Sequence, residues 1–371
     1  MRKLLIATDN FLPRWDGIAR FLSEVIPRIK NQYEITVLAP DFGETTDEGY
    51  KVIKFPVNKK IKLGDFHPAK IKYGIIKEAV RNADIVFTQT IGPIGGLAIK
   101  AAAKYKKPTA AFIHSIELEL LPMALKGQFR RFAYPLVKRI SSYLYKKCKI
   151  LIIPSEHVEE LLHWQQIHAK TAIVHLGTDT KKFIPAKDKA KAKELLNLDK
   201  TKIIIGYHGR IAREKDLSTL LRAFLRLQRS HANLQLLLVG DGVKDILEKF
   251  DRPGVILVPA QQNVVPYLQA MDIYALTSLT ETTSLSTLEA MSCGLPVIAT
   301  KVGFINDYIV NQYNGFLIDK KNPYQLAKII EALARNPEAR KKIGDRARQT
   351  VADKFNWDTT ANEIEKVLEK L

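Results

Sequence analysis

The sequence predicts an α/β protein with two domains, each built on a parallel sheet covered by helices. Short runs rich in valine, isoleucine and leucine alternate with longer amphipathic stretches along most of the 371 residues. The short runs are apolar throughout, which is typical of parallel strands buried on both faces. The chain is also too long for one ordinary domain, and two domains of roughly 150–200 residues are the usual arrangement at this length.

The first half of the chain contains six predicted strands with helices between them. The strands are predicted at Lys3–Thr8, Glu34–Leu38, Val52–Phe55, Ile85–Thr88, Thr109–Ile113 and Ile150–Ile153. Apolar residues at helical spacing predict helices over Ile18–Lys30, Pro68–Arg81 and Gly95–Tyr105. Strands and helices that alternate at this spacing predict a doubly wound, Rossmann-like domain.

A second series of the same kind follows a polar interruption at residues 185–189. Its strands are predicted at Lys202–Gly206, Leu234–Val239, Val255–Val258, Ile273–Leu276, Val297–Ala299 and Phe316–Ile318. Helices are predicted from Pro323 to the end. We place the first domain at residues 1–180 and the second at 181–355. Two such domains would face each other across a cleft at the carboxyl ends of their strands, where open α/β sheets bind ligands.

Composition and charge narrow the class of protein. With 46% hydrophobic and 26% charged residues the chain is globular, and no apolar run approaches the roughly 18 residues of a spanning helix. No signal peptide is expected, because the first apolar segment is too short and no small-residue cleavage site follows it. No disulfide framework is expected either, since only Cys148 and Cys293 are present, so we predict a cytoplasmic protein. The net charge of +19 predicts attraction to polyanions: nucleic acid, anionic lipid or phosphorylated small molecules.

The first candidate site follows the strand that opens the second domain. Gly209 and Arg210 come directly after it, and Lys215 lies five residues further on, before a predicted helix near Asp216. A helix N-terminus beside two cations suits a diphosphate, because backbone N–H groups and positive charge both face the ligand. The alternative is an ordinary turn with solvated cations.

The second candidate site is a loop rich in threonine and serine between two glutamates. Glu281 and Glu289 are separated by seven residues, and Glu289 is predicted in the first turns of a helix capped within Ser284–Thr287. The carboxylate of Glu289 could accept a pair of ribose hydroxyls. The alternative is a helix cap with a glutamate that favours the helix dipole.

Two weaker candidates lie in the first domain. Gly17 begins a predicted helix and could bring a backbone N–H to a phosphate, although a glycine there is also an ordinary turn residue. His114 follows a buried strand, where it could act as a proton shuttle or hydrogen-bond donor, or simply be a structural histidine.

Taken in order, these motifs resemble family 4 of the retaining GT-B glycosyltransferases over nearly the whole chain. The resemblance is carried by Pro13 with Asp16-Gly17, His114, Pro154-Ser155, His175-Leu176-Gly177-Thr178-Asp179 with Phe183, Gly209-Arg210 with Lys215, Val239-Gly240-Asp241-Gly242, Glu281 to Glu289, and Ala290-Met291-Ser292-Cys293-Gly294-Leu295-Pro296-Val297. Many members have Phe-Gly after the first glutamate, where this chain has Thr282-Thr283, and two glycines in the first loop, where it has Asp16-Gly17.

The resemblance implies a GT-B fold, a final helix over 356–371 that packs on the first domain, and a role for each candidate residue. Arg210, Lys215 and Gly17 would lie at the donor diphosphate and Glu289 at the nucleotide ribose. His114 and Glu281 would be the catalytic residues, and the loop against the donor sugar would consist of Thr282, Thr283, Ser284 and Leu285.

The implied reaction moves a hexose from a UDP- or GDP-sugar to an acceptor with retention and without a bound metal. The cations would stabilise the departing diphosphate in its place. A lipid or lipid-linked acceptor is one expectation. The alternatives are another GT-B nucleotide-sugar enzyme, such as a sugar epimerase, and a basic nucleic-acid-binding protein. No helix-turn-helix, zinc finger or aromatic platform supports the latter, so no nucleic acid is expected as a partner.

A basic stretch in the first domain bears on the acceptor. Between Leu120 and Ser155 there are eight basic residues and no acidic one: Lys126, Arg130, Arg131, Lys138, Arg139, Lys146, Lys147 and Lys149. Apolar residues recur at helical spacing among them: Phe129, Phe132, Leu136, Ile140, Tyr143 and Leu144. A second cluster contains Lys59, Lys60, Lys62, Lys70 and Lys72. The pattern fits either a surface that docks on anionic membrane or a core helix with a solvated face.

Overall fold

The computed structural model describes residues 1–14, 16–44, 49–58, 60, 67–114, 129–242 and 244–371, and their side chains except at 129–133 and 244. The chain forms two units. One consists of Met1–Leu176 and Trp357–Leu371, and the other of Gly177–Asn356. The chain therefore changes unit after Leu176 and again after Asn356. Each unit is an α/β fold on a parallel sheet, as predicted.

The first unit is built on a sheet of seven parallel strands. They are β1 Arg2–Ala7, β2 Tyr33–Asp41, β3 Lys51–Pro56, β4 Ile85–Thr88, β5 Thr109–Phe112, β6 Ile150–Ile153 and β7 Thr171–Ile173. Their order across the sheet is β3-β2-β1-β4-β5-β6-β7. The side chains of Leu4 to Ala7 are all buried, so this strand is covered on both faces, which explains its unbroken apolar run.

Among the described residues of the first unit there are six helices. They are α1 Gly17–Ile29, α2 Tyr73–Asn82, α3 Pro93–Lys104, α4 Phe129–Tyr145, α5 Glu156–Trp164 and α14 Trp357–Glu369. Asp16 caps α1, because its carboxylate accepts hydrogen bonds from the backbone N–H groups of Ile18 and Ala19. The buried Asp9 carboxylate, directly after β1, accepts from the N–H of Ile94 at 2.8 Å and so ties α3 to that strand.

The last helix, α14, packs on α1. The rings of Phe21 and Trp357 lie 6.3 Å apart, edge to face, and Arg28 Nε donates to Asp358 Oδ1 at 2.7 Å. Thr360 Oγ1 donates to the carbonyl of His175 at 2.8 Å. The first unit is thus completed by a segment that follows the whole second unit in sequence.

The second unit is built on six parallel strands. They are β8 Ile203–His208, β9 Leu234–Val239, β10 Val255–Val258, β11 Ile273–Leu276, β12 Val297–Thr300 and β13 Phe316–Ile318. Their order is β10-β9-β8-β11-β12-β13. In both units the order of strands reverses beside the first strand, at β1/β4 and at β8/β11. Ligands of open α/β sheets bind at the carboxyl ends of such neighbours.

The helices of the second unit follow each strand, as the predicted alternation requires. They are α6 Lys189–Glu194, α7 Leu217–Gln228, α8 Lys244–Leu247, α9 Val265–Ala270, α10 Leu285–Ser292, α11 Ile305–Tyr308, α12 Pro323–Arg335 and α13 Pro337–Lys354. Gly240, which follows β9, packs directly on the chain after β8: a Cβ added there would lie 2.0 Å from the Gly209 carbonyl oxygen. A side chain at Gly240 would push that loop away.

Two predictions of local structure are wrong. The helix predicted from Pro68 begins at Tyr73, because residues before it extend and pair with the end of β3: Asn58 N–H donates to the Pro68 carbonyl at 2.8 Å. The strand β7 was not predicted. It has only three residues, and none of them is fully buried, so it lacks the apolar run that identifies the other strands.

No helix among the described residues is both long enough and apolar enough to cross a membrane.

Candidate functional site

The candidate site of the second unit lies at the carboxyl ends of β8 and β11. Arg210 follows β8 by two residues, and the loop that begins at Thr277 follows β11. Thr277 Oγ1 lies 3.0 Å from the carbonyl oxygens of both Lys215 and Asp216, which joins the two segments. The Tyr207 hydroxyl donates to the Arg210 carbonyl at 2.9 Å and holds the first segment in place. The strand order therefore brings two distant stretches of sequence together.

Both cations of the predicted diphosphate site are paired with carboxylates. Arg210 Nη2 donates to Glu214 Oε1, and the Arg210 side chain is about half exposed. Lys215 Nζ lies 2.6 Å from Glu281 Oε1, and both of these side chains are mostly buried. The pair between Lys215 and Glu281 directly links the two candidate motifs that the sequence places 66 residues apart.

The loop after Glu281 is held by its own polar groups. Ser278 Oγ donates to Glu281 Oε1 at 2.6 Å, and the Thr282 carbonyl accepts from Phe304 N–H at 3.1 Å. Ser284 caps α10, which begins at Leu285, as predicted. Thr283 is buried, and its hydroxyl has no hydrogen-bond partner among the described residues.

Glu289 is buried in α10 and faces the end of β8. Its Oε2 lies 3.2 Å from Nε2 of His208, and the exposed fractions of the two side chains are 6% and 7%. Glu289 therefore does more than favour the helix dipole: it carries a buried carboxyl group beside an imidazole.

His114 lies two residues after β5 in the first unit. Its ring stacks on Phe112 at 4.3 Å and meets the edge of Phe21 at 4.7 Å, and its Nε2 lies 2.8 Å from Gln89 Oε1. Burial lowers the pKa of His114 to about 3. Such an imidazole is neutral at physiological pH and a weak base, which favours the hydrogen-bond role over the proton-shuttle role.

Gln89 lies directly after β4, so His114 and Gln89 occupy the switch-point edge of the first sheet. The Gln89 amide nitrogen is buried and has no hydrogen-bond partner among the described residues, and the same holds for Asn10 Oδ1 after β1. Gly17 is the first residue of α1, next to the capping carboxylate of Asp16. A Cβ at Gly17 would have no atom within 4 Å, so the backbone is open on that side.

Sequence reasoning missed three residues that contact the candidates: His208 beside Glu289, Gln89 beside His114, and Glu214 beside Arg210. His208 and Gln89 share a signal that was available, because each is a polar residue at the end of an otherwise apolar strand. Glu214 has no comparable signal.

The apolar residues of the basic stretch divide between core and surface. On α4, Val137 and Leu144 are buried, whereas Leu136, Ile140 and Tyr143 are 59%, 45% and 52% exposed. Lys59, Lys62 and Lys126 lie outside the described residues, as do the side chains of Phe129, Arg130, Arg131 and Phe132. Within the described ranges, no three histidine, cysteine, aspartate or glutamate side chains are grouped as metal ligands.

Two family models match the chain in sequence. "Glycosyltransferase Family 4" matches residues 15–182, and "Glycosyl transferases group 1" matches residues 188–350. The chain is 23% identical to an uncharacterised glycosyltransferase of Methanocaldococcus jannaschii, covering 100% of this chain and 98% of the relative. It is 24% identical to the GDP-mannose-dependent α-(1-6)-phosphatidylinositol monomannoside mannosyltransferase of Mycolicibacterium smegmatis, covering 98% of each.

Among solved structures, the fold is similar to that of Anabaena HepE in complex with UDP and glucose. The TM-score is 0.82 with 18% sequence identity, and the match covers 100% of both chains. At this identity the likeness concerns the fold.

Proposed function

Because the chain belongs to the GT-B glycosyltransferases of family 4 and group 1, we propose that it moves a hexose from a UDP- or GDP-sugar to an acceptor hydroxyl with retention of configuration. One observation carries the donor part of this proposal. The 2.6 Å pair between Lys215 and Glu281 joins the two loops at the switch point of the second sheet. The groups that suit a nucleotide-sugar thereby meet at one edge of that sheet.

The positive charge at this edge suits a leaving nucleoside diphosphate. Arg210 and Lys215 provide two cations, and charge-assisted hydrogen bonds from such groups stabilise the negative charge that develops as the sugar departs. In this proposal the two cations take the place of a metal ion. Glu289 receives the ribose hydroxyls, and Glu281 with Thr282, Thr283, Ser284 and Leu285 faces the sugar.

The retaining step requires no carboxylate nucleophile. The acceptor oxygen bonds to the anomeric carbon on the face from which the diphosphate leaves, the bond from that carbon to the phosphate oxygen breaks, and the acceptor proton passes to the departing phosphate. The pairing of Glu281 supports this assignment, because its Oε1 accepts from both Lys215 and Ser278. A carboxylate held in this way is a poor nucleophile.

Two nucleotides, UDP and GDP, are candidates for the carrier of the donor sugar. HepE was solved with UDP, and the mycobacterial relative depends on GDP-mannose. The donor test is calorimetry with UDP, GDP and ADP and their common sugar conjugates, on the wild type, Arg210→Ala and Glu289→Ala. We expect one base to bind at micromolar strength and each variant to lose roughly 10–100-fold in affinity, since a charged hydrogen bond contributes about 1.5–3 kcal/mol.

Arg222→Ala is the matched control, since Arg222 lies on α7 of the same unit and bonds only within that helix in the contacts described, to Ser218 and Thr219. Its affinity should equal that of the wild type. If the wild type binds no nucleotide, the proposal is wrong, and polyanion binding becomes the better account of the charge. A tight, salt-sensitive affinity for duplex DNA would then favour the nucleic-acid alternative.

The exposed face of α4 supports a second part of the proposal: the acceptor is a lipid or lipid-linked sugar at an anionic membrane surface. Leu136, Ile140 and Tyr143 form one apolar stripe along the helix. Lys147 Nζ lies 4.5 Å and Lys100 Nζ 5.8 Å from the centre of the Tyr143 ring. Apolar side chains rimmed by lysines are suited to insertion among acidic headgroups.

Sedimentation with vesicles tests this second part. We expect binding to phosphatidylglycerol vesicles at low salt, little binding to phosphatidylcholine vesicles, and release as salt rises. The double variant Leu136→Ser/Ile140→Ser should lose most of the binding. Leu195→Ser/Val310→Ser, two exposed apolar residues of the second unit, should keep it. If both double variants lose vesicle binding equally, or if the wild type does not bind vesicles, the proposed membrane-bound acceptor is wrong.

A further inference from the structure

His208 is the last residue of β8, and its surroundings fix it in place. Its carbonyl accepts a hydrogen bond from the Tyr274 hydroxyl at 3.2 Å, which ties the strand end to β11. Its ring lies 5.8 Å from the Tyr274 ring in an edge-to-face arrangement. The imidazole is buried at the edge of the sheet where the donor is proposed to bind.

The Nε2 atom of His208 faces two acceptors. It lies 3.2 Å from Glu289 Oε2 and 3.3 Å from the Ser286 carbonyl oxygen. Because neither of these oxygens can donate when the glutamate is ionised, Nε2 must carry a proton and act as the donor. A buried carboxylate is costly without such a partner, so the pair compensates the burial of Glu289.

We propose that His208 is a positioning residue for the nucleotide ribose, acting through Glu289. This inference rests on the proposed function. A glutamate side chain has three rotatable bonds, and the contact to His208 holds Oε2 of the carboxylate and so limits its rotation. A carboxylate held in this way can accept two neighbouring ribose hydroxyls without first losing that freedom on binding. The pair of His208 and Glu289 therefore selects ribonucleotides in which both ribose hydroxyls are present.

A second histidine–glutamate pair in the same unit provides a control. His231 Nε2 lies 3.5 Å from Glu331 Oε1, and His231 precedes β9. It is therefore at the amino end of the sheet, away from the proposed donor site. The side chains of His231 and Glu331 are 14% and 36% exposed, so this pair is less buried than that of His208 and Glu289. If His208 matters only for the stability of the unit, neither change should alter the preference for ribose.

The experiment compares His208→Gln with His208→Met, which are nearly equal in size. Only glutamine retains an N–H donor. Affinity is measured by calorimetry for UDP or GDP, whichever the wild type binds, and for its 2′-deoxy counterpart. The Michaelis constant for the nucleotide-sugar and the turnover number are measured in parallel. His231→Met and Glu289→Gln complete the set.

We expect His208→Met to weaken binding of the ribonucleotide roughly tenfold, the loss of about one hydrogen bond, and to change binding of the deoxynucleotide little. The preference for ribose should fall as it does in Glu289→Gln. The Michaelis constant should rise while the turnover number changes less than about twofold. This is the result expected when the lost interaction stabilises the bound substrate and the transition state equally. His208→Gln should recover most of the affinity, and His231→Met should match the wild type.

Three results would overturn the inference. The first is that His208→Met keeps the wild-type preference for ribose. The second is that His208→Met loses affinity for both nucleotides equally, and the third is that His208→Gln fails to restore the affinity that His208→Met loses. In each case the wild type still binds nucleotide, so the proposed function survives. If the wild type binds no nucleotide, both the inference about His208 and the proposed function are wrong.

Discussion

At the scale of single residues, the carboxylates beside the two cations set the electrostatics of the proposed donor site. Arg210 bonds to Glu214, and Lys215 bonds to Glu281 at 2.6 Å. Each cation therefore already has an anionic neighbour before a diphosphate arrives. A ligand must either share the cation or displace the carboxylate, and this competition lowers the affinity that the cations alone would give.

Removal of one competitor should therefore strengthen donor binding. We expect Glu214→Gln to raise the affinity for the nucleoside diphosphate about two- to fivefold, because Arg210 loses a negative neighbour while the backbone contact from Leu279 N–H to the Glu214 carbonyl remains. Calorimetry at low salt measures the change. Asp345→Asn, which removes a carboxylate paired with Lys341 on α13, should have no effect. Unchanged or weaker binding in Glu214→Gln would contradict the competition.

The buried imidazole of His114 should make the fold sensitive to acid. Its pKa is about 3 in the folded chain and near 6.5 when unfolded, so the unfolded chain takes up the proton first. Stability is therefore lost as pH falls below about 6.5. Between pH 6.5 and pH 5, the unfolding free energy of the wild type should fall by about 2 kcal/mol more than that of His114→Gln.

Urea denaturation at the two pH values checks this, with the exposed His168→Gln as control. If His114→Gln and the wild type lose the same free energy, the His114 ring is accessible to protons in the fold.

At the scale of elements, the two glycines near the predicted phosphate sites differ in what they tolerate. Gly240 has a φ of +153° and no room for a Cβ, whereas Gly17 has open space and begins a regular helix. Alanine at Gly17 should therefore leave the fold nearly unchanged, within about 0.5–1 kcal/mol of unfolding free energy. If the backbone of Gly17 approaches the donor phosphates, as the family resemblance implies, the same methyl group should obstruct it.

We expect Gly17→Ala to unfold in urea like the wild type and to lose at least about fivefold in kcat/KM, since a methyl group prevents close approach of a phosphate to the N–H groups. Gly74→Ala is the control, because it too has open space at a helix start. Full activity in Gly17→Ala would remove Gly17 from the diphosphate site.

The same scale shows what the sequence could predict. Strands such as Leu234–Val239 were predicted with their correct bounds, because continuous burial leaves an unmistakable apolar run. β7 and the start of α2 were not, since one is a short, partly exposed edge strand and the other depends on a pairing between Val57 and Ala69.

The candidate site divides in a similar way. Arg210, Lys215, Glu281 and Glu289 could be selected as candidates because they belong to spaced motifs along the chain. Their partners could not. That Lys215 meets Glu281, or that Glu289 meets His208, depends on β8 and β11 being neighbours, and strand order is not encoded in local periodicity.

At the scale of the whole molecule, the proposed donor site is confined to particular segments, and hydrogen exchange can map it. We expect UDP or GDP to slow amide exchange in residues 209–217 and 278–290 of the second unit, because bound phosphates and ribose hold those loops closed. Exchange in α13, Pro337–Lys354, should be unaffected. Protection spread evenly over lysine-rich surfaces would instead indicate diffuse binding driven by the charge of +19.

The helix that closes the first unit has a consequence for how the protein is made. As the chain leaves the ribosome, Met1–Leu176 emerge first, yet the ring that meets Phe21 and the carboxylate that meets Arg28 arrive only with Trp357 and Asp358. Throughout synthesis of the intervening 180 residues, Gly177–Asn356, the outer side of α1 lacks its cover. The first unit therefore remains incomplete until the segment that carries Trp357 and Asp358 has been synthesised.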